Sequence, residues 1–399
     1  MNLDKLRTTD GLDISGKRVL VRCDLNVPTK DGAVTDATRL ERIVPGVKDL
    51  ARRDARVIVL SHFGRPKGGP DKENSLAAVA EALQTLVGQP VAFASDSIGE
   101  AAQAAVAALQ NGGILVLENT RFHAGETKND PEVAKAFAAL GDLFVNDAFS
   151  AAHRAHASTE GITHLLPSYA GPLMMEEIGA LRAALDNPKR PVAAIVGGAK
   201  VSTKIPVLTN LSAKVDKLII GGGMANTFLL AGGVEIGRSL AEPNLIDTVH
   251  EIMHAAKSRS CEIVLPQDLV VADKFEAGAP HKTVLTIDVP PATMILDVGP
   301  KTVDHYVDVL SRCETLLWNG PLGAFEIDPF GDGTFALAKH AAERTRAGTL
   351  VSVAGGGDTV AALNTAGVTG DFTYVSSAGG AFLEWLEGRE LPGVAALAR

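Results

Sequence analysis

The 399-residue chain carries 46 % apolar and 21 % charged residues and a net charge of −9. That length exceeds what one hydrophobic core serves, so two domains are expected, and the acidic balance leaves no global basic surface for nucleic acid. Aromatics at 5 % disfavour stacking on nucleobases, and no apolar run reaches the length of a bilayer span.

Cys23, Cys261 and Cys313 are far apart and form no C-x-x-C. They suggest neither a disulfide framework nor a zinc knuckle, and they fit a reducing compartment. Met1–Lys5 is polar with no apolar signal core behind it, so the expected location is the cytoplasm.

Short β-branched runs alternate with alanine-rich helical stretches along the chain. Strand candidates are Val19–Val21, Val57–Leu60, Ile114–Leu117 and Leu143–Val145, then Val192–Val196, Leu218–Ile220, Ile263–Leu265, Met294–Leu296, Thr315–Trp318 and Leu350–Val353. They are continuously apolar, the pattern of strands covered on both faces. Leu76, Val79, Leu83 and Leu86 follow a helical period, with Ser75 a candidate cap. Repeated strand–helix–strand order predicts an α/β fold: two doubly wound, Rossmann-like domains of parallel sheet with helices on both sides. Pro167, Gly171 and Pro172, then the helical stretch Leu173–Leu185 and Pro188 and Pro191, look like a connector. The expected division is a domain over 1–170, a hinge helix over 171–186 and a second domain over 187–379.

Polar and glycine-rich residues follow the strands, where ligands of open α/β sheets bind. In the first half these are Asp24, Asn26, His62, Phe63, Gly64, Arg65 and Arg121, with Arg39 and Arg154 nearby. Arginine forks grip phosphate and carboxylate, so the set points to a small, multiply anionic substrate. The first 170 residues are nearly balanced, with 19 basic against 21 acidic side chains, which permits a local anion site. In the second half the rim reads Gly197-Gly198-Ala199-Lys200, Gly221-Gly222-Gly223, Asn319-Gly320-Pro321 and Gly355-Gly356-Gly357-Asp358-Thr359. Glycine lets backbone N–H groups approach phosphates at a helix start. Neither triple glycine matches G-x-G-x-x-G, and the lysine loop is no Walker A motif. Lys200 and Lys204 are four apart, a spacing that on a helix brings both ammonium groups to one side. Asp358 is placed to meet the magnesium of a metal–nucleotide complex.

No Ser-His-Asp triad or pair of catalytic acids emerges. Phosphoryl transfer between two anionic substrates needs none, because the nucleophile is already an anionic oxygen and the enzyme need only align and stabilise charge. His250-Glu251-Ile252-Met253-His254 matches H-E-x-x-H, the zinc peptidase pattern. It lies between strand candidates and reads as a crossover helix. His153 and His156, three apart, read as loop polar residues. A non-catalytic two-lobed binding protein is the other rival; the paired lysines argue against it.

Arg18–Pro28 resembles the signature of the phosphoglycerate kinase family. Ser61–Pro66, Glu118–Phe122, Val145–Phe149, His153–His156, Gly197–Val201, Leu317–Pro321 and Gly355–Thr359 are similar to further motifs of that family, in the family's order. The resemblance implies reversible phosphoryl transfer between 1,3-bisphosphoglycerate and ADP, giving 3-phosphoglycerate and ATP, in line and after domain closure about the connector. It implies that Asp24, Asn26, Arg39, His62, Arg65, Arg121 and Arg154 hold the phosphoglycerate, Arg39 also facing the transferring group. It implies that Lys200 and Lys204 touch the nucleotide phosphates, Glu326 the ribose, and Gly355–Gly357 with Asp358 the phosphate–magnesium end; Asn319 and Thr359 join this set. The catalytic residues would be Arg39, Lys200 and Lys204. It also implies a monomer and a C-terminal tail, 380–399, that returns to the first domain. Two departures stand out: Thr203 where many members carry aspartate, and Ala378 where a third glycine is common.

Overall fold

A computed structural model describes residues 3–399. The chain divides into two compact units: the first runs to Glu177 and includes Glu390–Arg399, and the second is Ile178–Arg389.

The first unit contains β1 (Arg18–Arg22), a small hairpin of β2 (Thr29–Lys30) and β3 (Ala33–Val34), α1 (Thr38–Arg52), β4 (Arg56–Leu60), α2 (Ala77–Val87) and β5 (Val91–Ala94). It continues through α3 (Gly99–Ala108), β6 (Ile114–Leu117), α4 (Pro131–Ala138), β7 (Leu143–Asn146) and β8 (Ser168–Ala170), and α5 (Pro172–Leu185) carries the chain across the division. Six strands form one parallel sheet in the order β5-β6-β4-β1-β7-β8. Val19 lies between Val57 and Leu143 in this register. Alternate residues serve opposite cores: Val19, Val21, Val57 and Val59 pack with Leu40, Ile43 and Val47 of α1, whereas Leu20, Ile58, Leu60 and Phe144 pack with Val106 and Phe137. Both faces are therefore apolar, which is why these strands read as unbroken runs.

Helix ends follow local chemistry. Asp130 accepts the N–H groups of Glu132 and Val133 ahead of Pro131, and Gly88 ends α2 at φ 76°. Ser75 Oγ accepts the N–H of Ala77, so the expected cap sits two residues before the first helical residue, with Leu76 between them.

The second unit contains β9 (Val192–Val196), α6 (Ile205–Leu211), β10 (Lys217–Ile220), α7 (Gly222–Ala231), α8 (Ile246–Ser258), β11 (Glu262–Val264), β12 (Asp268–Ala272), β13 (His281–Leu285) and β14 (Met294–Val298). It closes with α9 (Pro300–Ser311), β15 (Thr315–Asn319), α10 (Asp332–Arg346), β16 (Val351–Gly355), α11 (Gly357–Ala366), β17 (Tyr374–Ser376) and α12 (Gly380–Leu386). Its main sheet is parallel, β11-β10-β9-β15-β16-β17. The expected strand at Met294–Leu296 exists but belongs elsewhere: β14 pairs antiparallel with β12 in a separate three-stranded sheet, β13-β12-β14.

The returning tail is shorter than 380–399. Residues of α12 stay with the second unit, where Asn210 Nδ2 donates to the carbonyl of Leu386. Only α13 (Pro392–Ala395) and its neighbours join the first unit, and the division falls within α5 rather than at its ends.

Candidate active site

Strand order reverses beside β1 in the first sheet and beside β9 in the second, and each reversal opens a crevice at the strand carboxyl ends. In the first unit the loop after β1 is fixed by its own side chains. Asp24 Oδ1 accepts the N–H of Asn26 at 3.0 Å, while Oδ2 accepts from Ser150 Oγ and from Arg39 Nη1 at 3.3 Å. Arg39, in the first turn of α1, also donates to the carbonyl of Asn26 at 2.8 Å. Asn26 Oδ1 in turn accepts the N–H of Gly64 at 2.8 Å. Asp24, Asn26 and Arg39 are thus one hydrogen-bonded group joining two loops of the rim.

The loop after β4 is held by Asn119, whose amide bonds both backbone groups of Phe63 and the N–H of Arg121. Phe63 is buried in the core with its backbone so engaged, and it does not line the anion cavity. Gly64 sits at φ 56°, where an added Cβ would stand 2.0 Å from Asn74 Oδ1. Its carbonyl accepts from Arg121 Nη1 at 2.7 Å. Glu118 accepts the N–H groups of Leu76 and Asn119 and the hydroxyl of Ser75, so it braces the loops from behind.

Arg65, Arg121 and Arg154 line one cavity of about 430 Å³ together with Lys67, His123 and His156. Burial and the neighbouring Arg154, Arg22 and Arg65 hold the Arg121 guanidinium down to about 10, and its Nε is buried without a hydrogen-bond partner. Burial, then Arg121, Arg22, Arg154 and His153, hold His156 at about 4. Positive groups gathered this tightly make a receptor for a phosphate or carboxylate. His62 touches the set from the side, its Nδ1 2.9 Å from Arg22 Nη2.

In the second unit the expected helical pairing of Lys200 and Lys204 does not occur. Lys200 is extended and exposed, a single 3-10 turn follows, and Lys204 precedes α6. The glycines and prolines around them leave no helix long enough to align both. Lys204 Nζ donates to Asn319 Oδ1, and burial lowers its pKa while Asp358 and Glu387 oppose that. Asn319 Nδ2 donates to the carbonyl of Gly355 at 2.8 Å, and Thr359 Oγ1 accepts the N–H of Gly320 at 2.7 Å. Gly356 caps α11 at φ 101°, and a Cβ there would stand 2.6 Å from Asn319 Nδ2. Lys204, Asn319, Gly355, Gly356 and Thr359 therefore form one cluster at the start of α11. A magnesium ion carried on phosphates needs only one or two protein carboxylates. Asp358 supplies one in the first turn of α11, beside Gly357, where a Cβ would meet nothing within 4 Å, so these residues fit such an ion.

An adjoining cavity of about 460 Å³ contains Asp358 and Glu326 but is walled mainly by Leu240, Phe275, Met294, Leu296 and Leu322. Reading the sequence missed this apolar slot, because its walls come from separate elements and share no spacing. Gly221–Gly223 does open α7, and Gly222 and Gly223 border the slot. His250 and His254 lie on α8, the crossover helix leading to β11, and His250 Nε2 bonds the carbonyl of Ala231. Among the described residues no group of three or more His, Cys, Asp or Glu could hold a metal ion.

A family model described as phosphoglycerate kinase matches residues 9–389. Proteins named phosphoglycerate kinase from Chelativorans sp. and Rhodospirillum centenum are 62 % and 60 % identical, each over 98 % of this chain and over 98 % and 99 % of their own. Solved phosphoglycerate kinase structures from Coxiella burnetii (42 % identity, TM-score 0.92) and Pyrococcus horikoshii (30 %, 0.82) each cover 98 % of both chains.

Proposed function

The chain belongs to the phosphoglycerate kinase family, and on that premise we propose which of its residues do the work. It is a phosphotransferase that moves a phosphoryl group reversibly between 1,3-bisphosphoglycerate and ADP, giving 3-phosphoglycerate and ATP, in glycolysis. The first unit takes the phosphoglycerate on Arg65, Arg121 and Arg154, with His62, Asp24 and Asn26 orienting it and Arg39 turned to the transferring group. The second unit takes the nucleotide: the base in the apolar slot, the ribose near Glu326, and the phosphates on Lys200, Lys204 and the glycines opening α11. Magnesium held between the phosphates and Asp358 would offset their charge.

The observation that carries this reading is Arg121, a half-buried arginine crowded by other arginines with its Nε unbonded. Such a group is stabilised by an incoming dianion. The test is a coupled assay with 3-phosphoglycerate and Mg-ATP, following NADH loss through glyceraldehyde-3-phosphate dehydrogenase. Activity that needs both substrates and magnesium supports the reading; none from folded protein overturns it.

With the two substrates on different units, transfer requires them to be brought together before reaction, and water to be kept from the acyl phosphate. Small-angle scattering should change when both substrates bind; identical profiles would contradict closure. We further place the enzyme in the cytoplasm as a monomer. Its three free thiols are buried, as suits a reducing compartment, and among the described residues no helix is long and apolar enough to cross a membrane. Light scattering at micromolar concentration tests the monomer.

A further inference from the structure

Arg22 stands at the last position of β1 and is 1 % exposed. A buried guanidinium must spend its donors on acceptors. Arg22 Nε donates to Ser158 Oγ at 3.0 Å, Nη1 donates to the carbonyl of Cys23, and Nη2 lies 2.9 Å from His62 Nδ1. Ser158, buried as well, donates hydrogen bonds from its hydroxyl to Glu126 Oε1 and from its backbone N–H to Glu126 Oε2. Glu126 is 0 % exposed and also accepts from Thr120 Oγ1. The result is a buried line, Glu126 to Ser158 to Arg22 to His62. The carboxylate at one end balances the guanidinium, and the ring at the other end meets the substrate rim.

The direction of the last bond is fixed by chemistry. Arginine has donors and no acceptor, so His62 Nδ1 must present a lone pair to Arg22. The ring proton then resides on Nε2, and an imidazolium would set N–H against N–H. We propose that Arg22, held by Ser158 and Glu126, is a positioning residue that keeps His62 a neutral imidazole with its proton on Nε2. His62 then serves the phosphoglycerate, on the reading given above, as an uncharged N–H donor among arginines. The groups facing the ring agree: Arg22 from β1, Arg121 from the loop after β6, and Arg154 and His156 from the loop before β8. With burial as the leading cause, they hold the ring pKa at about 2. The consequence is a substrate site whose charge does not vary through His62 across physiological pH.

Two measurements test this on the full chain. The first needs no substrate: ring-nitrogen NMR of the histidine-labelled protein, with His62 assigned by comparison with His62→Gln. A protonated Nε2 and a bare Nδ1 from pH 5.5 to 8.5 are expected; a proton on Nδ1, or titration in that range, overturns the proposal. The second compares Arg22→Met with the parent. Without the guanidinium nothing fixes the lone pair on Nδ1 while burial still keeps the ring neutral, so the nitrogen spectrum of the variant should show the His62 proton shared between Nδ1 and Nε2, and KM for 3-phosphoglycerate should rise about threefold. An Nε2–H tautomer kept unchanged in the variant overturns the proposal. Because the NMR arm uses no substrate, it can fail while the phosphoglycerate reading stands, and the coupled assay can fail while the ring assignment stands.

Discussion

Arg39 is 37 % exposed and keeps two contacts, the 3.3 Å bond to Asp24 and the 2.8 Å bond to the carbonyl of Asn26. Both bonds come from Nη1, as the bond of Arg121 to Gly64 does, and the Arg39 side chain is still partly open to solvent. A cation held this way can strengthen its grip as charge spreads over a transferring phosphoryl group. Arg39→Ala should therefore lower kcat about 100-fold while leaving KM for 3-phosphoglycerate within a few-fold of the parent, a split that steady-state kinetics reads directly. A variant with raised KM and intact kcat would mean that Arg39 only holds the ground state. Arg39, Asp24 and Asn26 were visible as candidates in the sequence because they follow an apolar run that had to be a strand. Arg22 and Glu126 were not. One sits inside that run and the other in a loop, and only the fold shows that both are buried and joined.

Strand ends carry more than ligands: β7 and β14 each place a buried aspartate beneath a helix start. Asp147 Oδ1 accepts the N–H groups of Leu173 and Met174 at the start of α5, and Asp297 Oδ2 accepts the N–H of Gly333 at the start of α10. The chain passes so close that a Cβ on Gly171 would stand 2.3 Å from Asp147 Oδ1. Burial lifts Asp147 to about 7, against the pull of those two N–H groups and of Arg42. Its ordinary value is 3.8, so between about pH 4 and 7 the folded chain keeps a proton that the unfolded chain has released. Stability from this group is present in acid and is lost as pH rises through that window. Asp147→Asn keeps an acceptor for the helix start and removes the titration. Its stability relative to the parent, by urea unfolding, should rise by roughly 2 kcal/mol from pH 5 to pH 8; a constant difference would show that Asp147 is charged throughout. Such aspartates give no sequence signal beyond an acidic residue near a strand end. The same holds for elements. The central strands were legible because both faces are apolar, whereas β5, β8 and β17 are short and have half-exposed or polar positions. The three-stranded antiparallel sheet was read as part of the parallel pattern because Met294–Leu296 is as apolar as a central strand, and only pairing with β12 distinguishes it.

The first unit is discontinuous: its last piece arrives only with the final ten residues of the chain. Leu391, Val394 and Leu397 of that piece are buried, the N–H of Gly393 donates to the carbonyl of Ala152 at 2.8 Å, and Arg399 reaches Glu160 and His164. Ala152 lies in the same loop that carries Arg154 toward the anion cavity. Three buried aliphatic side chains contribute roughly 4 kcal/mol or more between them, and the exposed Arg399 pair adds little. A chain ending at Arg389 should therefore keep a sound second unit and a weakened first one. Two ligands separate the units in urea unfolding, since each stabilises only the unit that binds it. In the truncated chain the transition shifted by 3-phosphoglycerate should move to lower urea, while the transition shifted by Mg-ADP should hold its place. If both transitions move together, the tail supports the whole molecule; if neither moves, its buried leucines and valine are dispensable and the first unit closes its core without them.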